Sequence, residues 1–386
     1  MPPSFLIVNN MLLNRSKTAY FLEIQKRHYL CNLFFYMKHF SYFLLFTLFL
    51  GNVGVFGQEL DKTKKYNAVV VGFWNLENFY DTLNDPFKND EDWLPQGTNL
   101  WDTKKYYKKL DHMSDVISQL GIDANPDGAA VVGVCEVENA SVLNDLTKAP
   151  KLAARKYKVA HIEGPDARGV DVALLYNPKY FTLTSMHAYH LTLPLDTAHK
   201  TRDQLLVSGK LVGEEFHFIV CHWPSRLGGD VASMPNRIAA AKLGRKIIDS
   251  ILQVNPNAKI VLMGDLNDDP TDPSVRKYLN TVGKKEKIEP GKLFNAMENY
   301  HKKGIGTLAY NDSWNLFDQQ IMTPALVKGG FEDLKFYSSH IFNQPMVLED
   351  NGKFKGYPKR TYSGGAYNGG YSDHFSVYSV FLREIK

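Results

Sequence analysis

The sequence has few cysteines and, once its first residues are set aside, no surplus of charge. It contains three cysteines in 386 residues, and only Cys135 and Cys221 lie beyond residue 57. The formal charge of the whole chain is +4, but residues 1–57 carry five Lys or Arg and one Glu, so the remainder is formally neutral. A strongly basic surface that would attract a polyanion everywhere is therefore excluded, and any contact with nucleic acid must be a local patch.

Each of the two cysteines directly precedes a polar residue near the end of an apolar run, Glu136 in one case and His222 in the other. Neighbouring side chains on a strand face opposite ways, so both thiols are predicted to point into the core. A catalytic thiol or a disulfide is the alternative. No cysteine lies near Gly57, which argues against a lipid-modified start.

A long apolar run lies near the beginning of the chain. Met37–His39 gives a short basic start, FSYFLLFTLFLGNVGVF an apolar core, and Val55–Gly57 small residues for cleavage, as in a secretory signal peptide. A membrane anchor is the alternative, but the run is short and is interrupted by glycine and asparagine. The sequence therefore predicts a start codon assigned too far upstream for residues 1–36, a signal peptide at 37–57, and a secreted or periplasmic domain at 58–386 without a stable membrane anchor.

Internal repeats and linkers rich in serine or proline are not evident, so one large domain is predicted. Short apolar or alternating runs typical of strands recur at Ala68–Trp74, Ala129–Cys135, Lys158–His161, Val170–Tyr176, Leu205–Leu211, Phe216–Cys221, Lys259–Met263 and Ser376–Phe381. One-sided apolar stripes predict helices at Lys104–Leu120 and Asn236–Leu252. Strands and helices spread along the chain in this way indicate an α/β fold of two packed sheets flanked by helices.

Polar residues suited to metal or proton chemistry stand at or near the ends of these apolar runs. They are Asn75, Glu136, His222, Asp265, Asn267 and, close to the C-terminus, Ser372–His374. Strand ends are where a sheet holds polar groups rigidly in one cleft. Carboxylate and amide oxygens suit Mg²⁺ or Ca²⁺, and histidines beside them can move protons or stabilise a phosphoryl oxygen. The set therefore predicts a metal-dependent phosphoesterase.

The motifs that contain these residues resemble those of the endonuclease/exonuclease/phosphatase superfamily, which includes pancreatic-type deoxyribonuclease, abasic-site endonucleases, bacterial sphingomyelinases and inositol-polyphosphate phosphatases. The resemblance runs from about Ala68 to Phe381 in family order: WNLE, VCEVEN, RGVDVALLY, CHW, GDLN, FDQ and SDH. A single short motif is a weak signal, but seven in one order make coincidence a poor explanation. The resemblance implies the family's four-layer αββα sandwich, with two packed, mainly antiparallel sheets.

The resemblance also implies a site for Mg²⁺, with Mn²⁺ or Ca²⁺ as alternatives, at Glu136 together with Asn75, Glu77 and Asp373. Asn75 and Glu77 lie two residues apart, which on a strand places both side chains on one face. Glu77 stands where some relatives have an aspartate, so the alternative is that it supports a ligand without touching the metal.

Catalytic roles are implied for His222, Asp265, Asn267, Asp318 and His374. Asp265 would position or deprotonate the attacking water and Asn267 would contact the phosphate, with an Asx turn as the structural alternative for this segment. Asp318 is expected to hold His374 in one tautomer. His222 matches the deoxyribonuclease and sphingomyelinase branches, whereas abasic-site endonucleases have tyrosine there, which argues against abasic-site repair.

Arg168 and Arg226 lie beside these motifs and are predicted to bind a phosphate. The segment Gly352–Tyr371 is rich in aromatic and basic residues and is predicted to stack bases and contact phosphates. The sequence therefore indicates a monomeric, exported, Mg²⁺-dependent nuclease that cleaves DNA or RNA, as an endonuclease or an exonuclease. A phospholipid or phosphomonoester hydrolase and a catalytically inactive binding protein are the alternatives. Asp171 could face the site or simply begin its strand.

Overall fold

The computed structural model describes residues 60–310 and 312–385. The predictions for residues 1–36 and for the signal peptide at 37–57 lie outside the described residues. Within the described residues, no helix is both long enough and apolar enough to cross a membrane.

Most of the described chain forms strands. In chain order they are β1 (Tyr66–Phe79), β2 (Ala129–Val137), β3 (Lys158–His161), β4 (Asp171–Tyr176), β5 (Phe181–Tyr189), β6 (Gln204–Leu211), β7 (Glu214–His222), β8 (Ile260–Asp265), β9 (Thr281–Val282), β10 (Leu293–Asn295), β11 (Leu308–Tyr310), β12 (Ser313–Asn315), β13 (Asp318–Met322), β14 (Lys335–Phe342), β15 (Tyr362–Ser363), β16 (Ala366–Tyr367) and β17 (Ser376–Glu384). The helices are α1 (Thr103–Gln119), α2 (Ala140–Lys148), α3 (Pro150–Ala153), α4 (Asp230–Val254) and α5 (Glu298–His301), with a π-helical turn at Ser274–Tyr278 and 3₁₀ turns at Glu91–Trp93, Lys285–Lys287, Pro324–Leu326 and Pro345–Val347.

The strands form two large sheets and two small hairpins. Sheet A has the spatial order β14-β17-β1-β2-β4-β3, and sheet B has the order β5-β6-β7-β8-β13-β10-β9. Neighbouring strands are antiparallel except in the pairs β1 with β2, β7 with β8, and β9 with β10. The predicted mainly antiparallel sheets are thus confirmed.

Strand β1 shows why its sequence reads as a continuous apolar run. Val69, Val71 and Phe73 lie in the core between the two sheets, whereas Val70 and Trp74 lie in a second core on the outer face of sheet A. Because both faces of the strand are buried, alternate side chains enter two different apolar layers.

The helices cover the two outer faces. Met113 and Ile117 of α1 and Leu143 of α2 belong to the core outside sheet A, while Ile247 and Ile248 of α4 belong to the core outside sheet B. The layers therefore follow the order helices, sheet A, sheet B, helix, which confirms the predicted αββα sandwich.

Local signals fix where the first two helices begin. The Asp102 side chain accepts a hydrogen bond from Lys105 N at 2.8 Å, and Asn139 Oδ1 accepts from Ser141 N and Val142 N. Both side chains satisfy backbone N–H groups that have no partner inside the helix. The cap at Asn139 places the start of α2 directly after the end of β2, close to Glu136.

Strands β5, β13 and β14 were not among the predicted runs. Strand β13 has the sequence DQQIM, and all five of its residues are buried. Its polar side chains have partners: Gln320 Nε2 donates to Val71 O at 3.0 Å, and Asn295 Nδ2 donates to Gln319 Oε1 at 2.7 Å. Buried amides of this kind are tolerated when they are hydrogen-bonded, but they remove the apolar pattern from the sequence.

The two cysteines in the described residues are free and buried, as predicted. Cys135 lies in the core between the sheets, and Cys221 lies in the core beneath α4. Burial raises the pKa of both thiols, which opposes formation of a nucleophilic thiolate.

Candidate active site

Three neighbouring strands of sheet B place His222, Asp265 and Asp318 side by side. In the strand register, Asp265 is paired with His222 on β7 and with Asp318 on β13. Val220 and Met263, two residues before His222 and Asp265, point into the core between the sheets. Since side chains alternate along a strand, the inward apolar rows end in polar groups that face one cleft.

His374 reaches the same cleft from the segment before β17. Its Nδ1 lies 2.7 Å from Asp318 Oδ2, which is the predicted pairing. Two contacts hold the backbone: Ser372 Oγ donates to Asn75 O at 2.7 Å, and Trp74 Nε1 donates to His374 O at 2.9 Å. The Asp318 contact leaves His374 Nε2 to face Asp265 Oδ2, at 3.8 Å.

Glu136 reaches the cleft because its strand is irregular. Its φ is +58°, and the pairing of β2 with β4 shifts register between Cys135 and Val137. A bulge of this kind re-aims a side chain that regular alternation would send to the opposite face from Cys135. Glu136 Oε1 then accepts from Asn75 Nδ2 at 3.2 Å, and Oε2 accepts from Asn78 N at 2.9 Å.

Glu136, His222 and Asp265 form a group whose ligand atoms all lie within 4.8 Å of one another. His222 Nε2 is 3.6 Å from Glu136 Oε1 and 3.8 Å from Asp265 Oδ2. Two carboxylates and an imidazole are a donor set that fits a divalent ion. Asn75 presents its NH₂ group to this set, at 3.0 Å from Asp265 Oδ2, because its Oδ1 accepts from Glu77 N at 2.8 Å. The prediction that Asn75 ligates a metal is not tested by this contact.

The two histidines differ in their electrostatic surroundings. Burial lowers the pKa of His222 well below its usual value, and Arg202 and Arg168 act in the same direction. Burial also opposes the charge on His374, but the carboxylates of Asp318 and Asp265 raise its pKa well above the usual value. The surroundings of His222 thus favour the neutral imidazole, and those of His374 favour the imidazolium.

Asp265 lies between the two histidines and is 2% exposed. Burial raises its pKa to about 6, against the stabilising effect of His374. Its Oδ1 accepts from Asn267 N at 3.0 Å, so the Asx turn considered for this segment is present. The other oxygen faces the cleft and remains available for proton transfer.

The backbone around Glu77 departs from that of a regular strand. The prediction of a shared face assumed a regular strand, but φ is +50° at Glu77 and +53° at Asn78, where the register of β1 with β2 shifts. Glu77 Oε2 accepts from Thr361 N at 2.6 Å and lies 3.9 Å from Lys109 Nζ. The carboxylate thus fastens the C-terminal loop, and its assignment as a metal ligand stays a prediction.

Asp373 lies at the edge of the cleft and is partly exposed. Its Oδ1 is 3.9 Å from His374 Nε2, and its Oδ2 accepts from an Arg360 guanidinium nitrogen at 2.8 Å. Arg360 therefore competes with any other cation for this carboxylate.

The residues predicted to contact phosphate lie near the cleft, but each has a protein partner. Arg226 donates to Asp272 Oδ2 at 2.7 Å and to Asn267 O at 2.8 Å, and Asn267 Nδ2 donates to Trp223 O at 3.0 Å. Arg168 Nε lies 3.7 Å from Asp166 Oδ1. Burial opposes the charge on Arg168, but nearby carboxylates, Glu136 first among them, raise its pKa. Arg168 is thus close enough to Glu136 to act in the same cleft.

Sequence reasoning missed two buried residues behind the site. Arg202 is 8% exposed, donates to Trp223 O at 2.9 Å and lies 3.3 Å from Asp166 Oδ2. Asp166 thereby links Arg202 to Arg168. The charge of Asp166 next to the RGVD segment was a usable signal, whereas nothing in the residues around Arg202 indicates its position. Asp171 begins β4, and its carboxylate accepts from Gly164 N and faces His161.

Comparison with known proteins identifies the family of the chain. A model of the endonuclease/exonuclease/phosphatase family matches residues 70–383. A family protein from Bacteroides thetaiotaomicron has a similar solved structure, with a TM-score of 0.50 and 16% identity over 83% of this chain and 97% of that one. A mannosyl-6-phosphatase from the same organism has a TM-score of 0.48 and 16% identity, over 82% and 100%. TDP2 from D. rerio, complexed with a single-strand DNA product, has a TM-score of 0.49 and 14% identity, over 81% and 98%. No curated protein sequence matches the chain.

Proposed function

The chain belongs to the endonuclease/exonuclease/phosphatase family, and on this premise we propose that it is an exported phosphodiester hydrolase that uses a divalent ion and water to cleave DNA or RNA. The observation that carries the proposal is the position of Asp265 between His222 and His374, with Oδ2 at 3.8 Å from the Nε2 atom of each, in the group that Asp265 and His222 form with Glu136. Export rests on the signal-peptide pattern at residues 37–57.

Asp265 is the proposed acceptor of the proton of the attacking water. A carboxyl with a pKa of about 6 is ionised at neutral pH yet basic enough to take up a proton. Asn75 Nδ2 holds Asp265 Oδ2 at 3.0 Å, and the turn at Asn267 holds the other oxygen, so the carboxylate has a fixed orientation.

His374 is proposed to stabilise negative charge on a phosphoryl oxygen. Asp318 fixes its tautomer and favours the imidazolium, so Nε2 presents a proton and a positive charge to the cleft. His222 is held neutral, which suits a ligand nitrogen or a hydrogen-bond donor to the phosphate. The two imidazoles are therefore expected to have different roles, because their surroundings separate their pKa values.

The divalent ion is proposed to bind Glu136 together with the predicted ligands Asn75, Glu77 and Asp373. His222 and Asp265 border the same position, since their ligand atoms and that of Glu136 lie within 4.8 Å of one another. When bound, such an ion neutralises the phosphate and stabilises the leaving oxygen. The oxygen-rich set suits Mg²⁺, and Mn²⁺ or Ca²⁺ can replace it in sites of this kind.

Support for a nucleic-acid substrate comes from a pocket of about 160 Å³ that opens beside Asp373. Tyr310, Phe354, Tyr357 and Arg360 line it, and Tyr310 is 67% exposed. Flat aromatic faces next to a guanidinium are suited to stack a base and contact its phosphate. The other aromatic residues predicted for this purpose, Tyr362 and Tyr367, instead pack against each other; Tyr362 also contacts Trp93, and the Lys105 ammonium lies over the Tyr367 ring.

A substrate panel tests the proposal. The full chain is assayed on plasmid DNA, RNA, sphingomyelin, inositol phosphates and bis-p-nitrophenyl phosphate, each with EDTA and with added Mg²⁺ or Mn²⁺. We expect metal-dependent cleavage of the small diester and of at least one nucleic acid. Turnover of a phospholipid or sugar phosphate with both nucleic acids left intact would overturn the nuclease assignment, and no turnover of any substrate would favour a binding protein.

A further inference from the structure

The basic side chains that the sequence suggested for phosphate binding are paired with carboxylates of the protein itself. Arg226 has Asp268, Asp269 and Asp272 within 3.6 Å. Similarly, Arg360 is paired with Asp373, Lys359 with Asp350, and Arg168 with Asp166. Since the chain beyond residue 57 is formally neutral, a surface for a polyanion has to come from lysines that lack such partners.

Three such lysines line one groove, which we call the lysine groove. It has a volume of about 640 Å³, and its polar lining residues include Asn144, Thr147, Lys148, Lys156, Lys158 and His161. No carboxylate lines it. Two acidic side chains lie next to its lining residue His161. Asp171 is engaged by His161 Nε2 at 3.0 Å and by Gly164 N, and Glu163 lies 3.9 Å from Lys88 Nζ.

The local backbone directs the three lysines outward. Lys156 has a φ of +53° in the turn that leads into β3, and Tyr157 beside it is buried with its hydroxyl bonded to Ala129 O. Lys156 and Lys158 flank this anchor, and both line the groove. Lys148 joins them from the last turn of α2. All three are exposed, and within residues 60–310 and 312–385 none makes an ion pair or a side-chain hydrogen bond.

One end of the lysine groove lies at the same strand ends of sheet A as the catalytic cleft. His161 pairs with Ala173 of β4, and Asp171 of β4 pairs with Val137, the residue after Glu136. Two strand spacings of about 4.8 Å separate β2 from β3, so this end of the groove is on the order of 10 Å from Glu136. From there the groove follows the edge strand β3 away from the cleft, toward Lys158.

We propose that the lysine groove binds the sugar-phosphate backbone of a nucleic-acid substrate several nucleotides from the bond that is cleaved. The inference rests on the proposed nuclease function and specifies where the polymer lies. Uncompensated lysines in a groove suit a flexible row of phosphates, because an ammonium group is a point charge with no demand for planar geometry. The distance from Glu136 means that a dinucleotide does not reach the groove, whereas a longer strand does.

The test is a charge-neutral triple variant, Lys148→Gln, Lys156→Gln and Lys158→Gln, in the full chain. Binding of a labelled single-stranded oligonucleotide is measured by fluorescence anisotropy in EDTA, which prevents cleavage, across a salt series. Three lost phosphate contacts should reduce the slope of log K against log salt by about two to three and weaken binding about tenfold at low salt. Cleavage of the oligonucleotide should fall with binding, while hydrolysis of a dinucleotide and of bis-p-nitrophenyl phosphate should stay within about twofold of wild type.

A matched control has the same change in net charge elsewhere. Lys242, Lys246 and Lys277 are exposed lysines on and beside α4, outside the lysine groove, and their replacement by Gln should change the slope by less than about one. An equal loss in both triple variants would show a non-specific effect of net charge and would overturn the proposal.

The remaining outcomes separate this inference from the proposed function. If the wild type is a nuclease and the groove variant binds and cleaves nucleic acid equally well, the groove does not bind the substrate, and the proposed nuclease function stands. If the wild type hydrolyses the small diester but neither binds nor cleaves nucleic acid, both the nucleic-acid substrate class and the proposed role of the groove are refuted. Groove-dependent binding to vesicles of phosphatidylglycerol, with no binding of the oligonucleotide, assigns the groove to a membrane surface and contradicts the proposal.

Discussion

The two sides of the cleft are built differently. On the sheet B side, His222, Asp265 and Asp318 stand on adjacent strands in regular register, and their positions follow from side-chain alternation. On the sheet A side, Glu136 depends on a bulge with left-handed backbone, and Asp373 lies in a loop held by Arg360. The first side is fixed by the same register that fills the core, whereas the second depends on a few polar contacts between distant segments.

This difference predicts which substitutions affect catalysis alone and which also affect stability. A substitution on the regular side removes a polar atom at a strand end and leaves the core beneath it intact. A substitution among the supports of the irregular side disturbs the loop that positions Asp373 and so affects both the fold and the site.

The largest effect is expected from removal of the ion or its main ligand. Chelation should abolish turnover, and Mg²⁺ or Mn²⁺ should restore it, because two carboxylates and a histidine converge at Glu136, His222 and Asp265. Glu136→Gln should raise the metal concentration needed for half-maximal activity. Full activity of this variant at limiting Mg²⁺ would contradict the metal assignment.

The next effect tests Asp265 on the regular side, together with His374, which reaches Asp265 from the segment before β17. His374→Ala or Asp265→Ala should each lower kcat by on the order of 10²-fold or more. Asp265→Ala should change the midpoint of thermal unfolding little, whereas His374→Ala should lower it, because the buried Asp318 carboxylate then loses its partner. Steady-state kinetics and thermal melts of the same preparations measure the two quantities. A large loss of stability with normal kcat would reverse the expected roles.

A smaller kinetic effect is expected from Asp318→Asn, which keeps the shape but weakens the orientation of His374. If the two act as a pair, Asp318→Asn should cost little once His374 is already Ala. The double-mutant cycle is measured in kcat/KM. Fully additive losses would rule out the pairing as the route by which Asp318 acts.

The irregular side should respond through stability. Lys109 is 1% exposed and donates to Thr361 Oγ1 at 2.6 Å, beside the Glu77 carboxylate. Burial raises the pKa of Glu77 to about 7, and the negative charge of Asp373 acts in the same direction, so the charged form of the carboxylate is already unfavourable. Lys109→Met should lower the free energy of unfolding by about 3 kcal/mol, because it removes the cation and leaves buried acceptors unpaired. Denaturant titration of the variant and the wild type measures this free energy of unfolding.

A matched variant separates charge from packing at this position. Glu77→Gln combined with Lys109→Met leaves no unpaired charge and should recover part of the loss. Equal stability of the single and double variants would show that Lys109 contributes by packing alone.

The smallest effect is expected from Arg360→Ala. Its guanidinium lines the aromatic pocket beside the cleft, where only an extended substrate reaches it. Cleavage of nucleic acid should fall about tenfold, and hydrolysis of bis-p-nitrophenyl phosphate should change by less than about threefold. Lys359→Ala, whose ammonium is paired with Asp350, is the control and should leave both activities near wild type. Equal losses on both substrates would assign Arg360 to support of Asp373.

Much of the fold was predictable because its main signals are local. The apolar runs of β1, β2, β7 and β8 were recognised, with boundaries displaced by a few residues. Strand β13 was missed, because its buried glutamines find hydrogen-bond partners in other strands and leave no apolar period. Glu136, His222 and Asp265 were found for the same local reason, since each follows an apolar run, whereas Asp318 begins β13 and His374 precedes β17.

Short segments of the sequence set the order of the motifs, the packing of two sheets and the positions of His222 and Asp265, because periodicity and strand ends are local properties. The tertiary structure set the place of Asp318 on β13 beside Asp265, the turn of Glu136 into the cleft and the contact of Glu77 with Lys109. It also decided which positive charges are compensated. Bulges and ion pairs depend on partners that are distant in the chain, and no local pattern encodes the position of such partners.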